Sequence, residues 1–100
     1  GIMVEFAQKL LAIVVFIEHR YYGQSWPFGM NASFTPEGLR YLTVEQALAD
    51  YAEFITALPN LIDCHGTGSN AAAGRCDIVL FGGSYGGMLA AWHRVKYPHL

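Results

Sequence analysis

The sequence predicts an α/β fold in which parallel strands are joined by crossover helices, and three observations carry that expectation. Two short runs rich in β-branched residues, Ala12–Glu18 and Ile78–Phe81, have the composition of strands buried on both faces. Between them Val44, Ala47, Leu48, Tyr51, Ile55 and Leu58 recur at the period of an amphipathic helix. Directly after the second run stands Gly82-Gly83-Ser84-Tyr85-Gly86-Gly87, and helical character follows it. Helix, strand, helix, strand, helix is the order in which parallel βαβ units are built.

Each element has its own signal. Met3, Phe6, Ala7, Leu10 and Leu11 fall at helical spacing, so the first ten or so residues read as the end of an amphipathic helix. Leu10–Ile17 is a run of eight apolar residues, far too short to span a bilayer. Glu5 lies where a secretory leader needs positive charge, and Ile13, Val14, Val15 and Ile17 assign the run to a strand. From His19 to Leu42 the chain reads as a long aromatic loop punctuated by Gly and Pro, which its own side chains must hold. Thr43 with Gln46 three residues on is a capping box that opens the central helix, and Pro59 marks its end. A polar loop containing Cys64 and Cys76 leads to the second strand. Met88–Tyr97 reads as the last helix, stopped by Pro98.

Composition narrows the function. The 100 residues are 53% hydrophobic and 14% charged, which supplies a core and excludes disorder. A net charge of −2 without a basic cluster argues against nucleic acid and against a polybasic membrane contact. A mean hydropathy of +0.25 at this length is more typical of the centre of a larger domain than of a complete one. The chain is therefore expected to be a fragment, residues 1–100 forming one piece of a single larger domain. A bridge between Cys64 and Cys76 would close a loop of eleven intervening residues and contribute at most about 3 kcal/mol; two free thiols are the alternative. Asn31-Ala32-Ser33 is an acceptor motif for N-glycosylation, common enough by chance to be weak support for a secretory route.

Gly82-x-Ser84-x-Gly86 between an apolar strand and a helix matches the nucleophile elbow of a partial α/β-hydrolase fold. A serine aimed out of so tight a turn sits in a strained backbone conformation, and Gly82 and Gly86 leave room where strand and helix cross. Behind it the helix N-terminus offers N–H groups and positive dipole to an oxyanion, Tyr85 through its backbone N–H. A dinucleotide-binding turn would need glycine at position 84, and a phosphate-binding Walker loop would need Lys before Ser or Thr; neither is present. The hydroxyl needs a general base and an acid to orient it. No Asp or Glu follows Ser84, and His93, nine residues along the same helix, stands roughly 13 Å away at 1.5 Å per residue. His65-Gly66 resembles half of an oxyanion loop but precedes the nucleophile strand, where it reads as plain loop.

Four blocks in order then resemble the prolyl carboxypeptidase and dipeptidyl peptidase II family of serine peptidases. They are Glu18-His19-Arg20-Tyr21-Tyr22-Gly23-Gln24-Ser25 with Pro27-Phe28-Gly29, Leu42 to Tyr51, Gly82 to Met88, and Lys96-Tyr97-Pro98-His99. The likeness is interrupted over Pro59–Asp77, which looks like an insertion, and His93 stands where an apolar residue is expected. The resemblance implies a serine exopeptidase acting on peptide substrates next to proline, lysosomal or secreted, with an α/β-hydrolase domain and helical cap and no metal or other cofactor. Ser84 matches the family nucleophile. The upstream oxyanion loop, the cap and the downstream catalytic Asp and His have no counterpart in these residues. Carboxypeptidase and dipeptidyl-peptidase specificity both stay open, as do a carboxylesterase and a truncated non-catalytic piece. Tyr22 or Trp26 could line a proline pocket or simply pack the long loop.

Overall fold

The structure, a computed structural model, describes residues 1–64 and 76–100. They fall into two compact units, Gly1–Leu42 and Thr43–Leu100.

The first unit opens with α1 (Ile2–Leu10), where Glu5 in the first turn and Lys9 in the last suit the helix dipole. Leu11 ends it in a left-handed conformation, φ 52°, and the Leu11 and Ala12 N–H groups reach back to the Gln8 and Ala7 carbonyls. None of the residues of α1 is buried. After the irregular residues 12–19, the aromatic stretch gains more regularity than its sequence suggests. It contains the short helix α2 (Gly29–Ser33) and a 3₁₀ turn, Gly38–Tyr41. Its own side chains hold it. Tyr21 is buried and donates its hydroxyl to the Gly38 carbonyl, Trp26 meets Phe34 edge-on at 5.3 Å, and Phe28 leans on Tyr41 at 5.5 Å.

In the second unit Thr43 caps α3 (Val44–Leu61), its hydroxyl accepting the Gln46 N–H at 3.2 Å. Pro59 does not stop the helix but sits in its last turn. The missing proline N–H forfeits one bond in the last turn, and the Ile62 N–H still closes on the Leu58 carbonyl at 3.0 Å. Ala47, Leu48, Ala52 and Ile55 form the buried face of α3, and Leu89 and His93 that of α4 (Tyr85–Lys96); the two helices pack together.

The expected parallel-strand α/β arrangement is not formed. Among the described residues every regular element is helical, and residues 12–18 and 77–81 carry no strand. A strand is a pairing between two chains of backbone, and each unit contains a single run of strand composition, so neither has a partner to pair with. The runs stay open to solvent, with Phe16 80% and Val79 66% exposed. Among the described residues no helix is long and apolar enough to cross a membrane.

Candidate active site

The glycine-rich turn enters α4 through Ser84, which has φ 53° and ψ −123° and is the N-cap of the helix. For a residue with a Cβ this conformation costs on the order of 1–3 kcal/mol and persists only where the surroundings impose it. The surroundings here are backbone. A Cβ added at Gly82 would collide with the Gly86 carbonyl and come within 2.7 Å of the Gly87 nitrogen, so only glycine lets the incoming chain cross the first turn of α4 this closely. Gly86 supplies the backbone that would be struck, while a Cβ of its own would meet open space. Gly87 is a constraint the five-residue motif does not contain: a Cβ there would press on the Gly82 carbonyl at 3.1 Å.

Three attachments hold the segment that feeds this turn. Cys64 and Cys76 are joined by a disulfide with their Cα atoms 5.9 Å apart, tying the segment's start to the residues after α3. Arg94 donates from Nη2 to the Ile78 carbonyl at 3.1 Å and from Nη1 to the Leu100 carbonyl at 2.6 Å, anchoring it to the far end of α4. The Gly82 crossing is the third. Arg94 on its own reads in the sequence as a partner of the helix dipole; only the fold reveals it as a clamp.

Ser84 is exposed, and its side chain caps none of the helix N–H groups. The Met88 N–H closes the first helical bond on the Ser84 carbonyl at 3.1 Å. The first turn of α4, beginning at Tyr85, therefore sets backbone N–H groups and the positive end of a twelve-residue helix beside the hydroxyl. Burial, then the Tyr85 phenol, then Asp50 push the Tyr51 phenol above its ordinary value, which makes Tyr51 of α3 an electrostatic neighbour of Tyr85.

No base completes the site among the described residues of this unit. His93 is only 3% exposed, its Nε2 has no hydrogen-bond partner, and its ring lies 5.0 Å from that of Tyr97. Burial first, and Arg94 second, lower its pKa and favour the neutral imidazole. His65 lies outside the described residues, as does the loop between the two cysteines. Among the described residues no three His, Cys, Asp or Glu side chains converge to hold a metal.

In the first unit, Glu18 accepts the Ser25 hydroxyl at 2.6 Å and the Gln24 N–H at 3.2 Å, and thus braces a turn. Trp26 is committed to that loop through Phe34 and through its Nε1–H, which donates to the Gly23 carbonyl. Tyr22 remains 57% exposed, with an edge contact to His19 at 5.1 Å.

A serine exposed on a forced turn at a helix N-terminus has the backbone setting that acyl transfer by serine requires. Serine carboxypeptidase S28 matches residues 1–100. The chain belongs to the serine carboxypeptidase S28 family. The resemblance carried by the four sequence blocks is thereby borne out, and with it a place among serine-type peptidases, which are hydrolases. Lysosomal Pro-X carboxypeptidase of Mus musculus and of Homo sapiens are each 49% identical to this S28 chain over 100 residues, all of it, and it covers 19% and 18% of their lengths. Prolyl carboxy peptidase like protein 5 of Caenorhabditis elegans is 46% identical over 101 residues, again covering the whole chain and 18% of that protein. The chain thus spans less than a fifth of the relatives it matches. No solved structure matches it.

Proposed function

We propose that this S28 chain carries the nucleophile of a lysosomal serine exopeptidase that cleaves peptide bonds adjacent to proline. The observation that carries the reading is the backbone of Ser84: a strained serine, exposed, at the start of α4. Its oxygen attacks the substrate carbonyl carbon while a general base from outside the described residues takes the hydroxyl proton. The new C–O bond turns the carbonyl into an oxyanion, which the Tyr85 N–H and the helix dipole stabilise. Collapse breaks the C–N bond, the leaving amine receives the proton, and water then hydrolyses the ester on Ser84.

The names of the mammalian relatives favour the carboxypeptidase direction, release of a C-terminal residue after proline, over release of an N-terminal dipeptide. The lysosome is taken from the same names, and the Cys64–Cys76 disulfide suits an oxidising route of synthesis. The test is the full-length protein assayed against an N-blocked peptide ending in Pro-X, a chromogenic X-Pro dipeptide and a p-nitrophenyl ester. Turnover of the Pro-X peptide, lost by on the order of 10⁴-fold or more in Ser84→Ala, is expected. Turnover of the ester without either peptide would make the enzyme a carboxylesterase instead.

A further inference from the structure

We propose that Asn31 carries an N-linked oligosaccharide and that it is attached before the surrounding loop folds. Asn31 is exposed on α2, and its carboxamide makes no hydrogen bond among the described residues. Its acceptor motif is completed by Ser33, and the motif exists because the transferring enzyme must engage that hydroxyl as well as the asparagine. In the folded loop the hydroxyl cannot be engaged. Ser33 is 0% exposed, and its Oγ accepts the Phe28 N–H at 3.1 Å.

The same hydroxyl therefore has two successive partners. Before folding it serves the transferase; afterwards it ties the start of α2 to its end. In the transfer a bond forms between Asn31 Nδ2 and the first sugar carbon of a lipid-diphosphate-linked oligosaccharide. The carbon–oxygen bond to the diphosphate breaks, the lipid diphosphate leaves with the electron pair, and Nδ2 gives up one proton. The glycan is carried on the short helix that holds Met30 and is flanked by Phe28 and Phe34, which are 67%, 50% and 54% exposed.

The inference rests on the secretory route assumed above and not on catalysis. The tryptic peptide Tyr21–Arg40 holds Asn31 as its one asparagine, so full-length protein from its own cells is digested, treated with glycosidase in heavy-oxygen water and weighed. Conversion of Asn31 to labelled Asp is expected, and a bare, unconverted asparagine overturns the site. For the order of events, full-length protein made under blocked glycan transfer is given solubilised transferase and lipid-linked donor, once folded and once denatured. Modification at Asn31 of the denatured chain alone is expected, with Asn31→Gln as the blank; equal modification of the folded chain overturns the order. A bare Asn31 in protein that still cleaves Pro-X peptides refutes this inference alone, whereas a glycosylated, inactive protein refutes only the enzymatic reading.

Discussion

Ser84 stores strain, and that strain separates stability from activity at one position. Glycine adopts φ 53° and ψ −123° without a Cβ penalty, whereas alanine does not. Ser84→Gly should therefore be more stable than Ser84→Ala by about 1–2 kcal/mol, after allowing for the greater unfolded-state entropy of glycine, with both inactive. Urea unfolding of the two full-length variants measures it, and equal midpoints would mean the turn is not strained. His93 makes a second prediction. Its folded pKa lies below the ordinary value of 6.5, so on acidification the unfolded chain takes up the proton first. The stability contributed by neutral His93 is complete above pH 6.5 and is lost as the pH falls through the lowered folded value. His93→Phe removes the titrating group from an apolar site, and the drop in thermal midpoint between pH 7 and pH 5 should shrink in it. The turn at Ser84 and the need for glycine at position 82 were legible in the sequence because a short motif encodes a local turn, whereas the constraint at Gly87 lies outside that motif. The burial at position 93 was legible in part, because an apolar residue is expected there and Leu89, Ala90 and Tyr97 share its face; that a histidine fills the place with Nε2 unpartnered was not.

The elements around the site act as braces, and the disulfide is the one that can be removed cleanly. Opening the Cys64–Cys76 loop should cost about 3 kcal/mol in the chain-entropy account. Cys64→Ser with Cys76→Ser should unfold at correspondingly lower denaturant, and an unchanged midpoint would show that Arg94 and the Gly82 crossing suffice to hold the segment. α1, α3 and α4 could be read in advance because a helix satisfies its hydrogen bonds within itself and its period is written in consecutive residues, joined in α3 by the Thr43 cap. The end of α3 was misjudged by two residues because a proline in the last turn sacrifices little. The strands read from Ala12–Glu18 and Ile78–Phe81 failed for the opposite reason. Composition says that such a run can be buried on two faces, but pairing depends on a neighbour, and neither unit provides one.

For the molecule as a whole, the proposed reading gives Ser84 the role of nucleophile at the N-terminus of α4 and takes the general base from outside the described residues. The aromatic loop was legible as self-held, from its density of Tyr, Trp and Phe between Gly and Pro, although α2 and the 3₁₀ turn within it were not. The family was legible because four separated blocks kept their order along the chain. What ties these scales together is the proposal that the Ser84 oxygen, on the turn into α4, is the nucleophile. The full-length protein treated with a fluorophosphonate and mapped by peptide mass spectrometry tests it most directly. One phosphonyl group per chain on Ser84, absent from Ser84→Ala, is the predicted result; rapid stoichiometric labelling at another serine, with Ser84 unmodified, would contradict it.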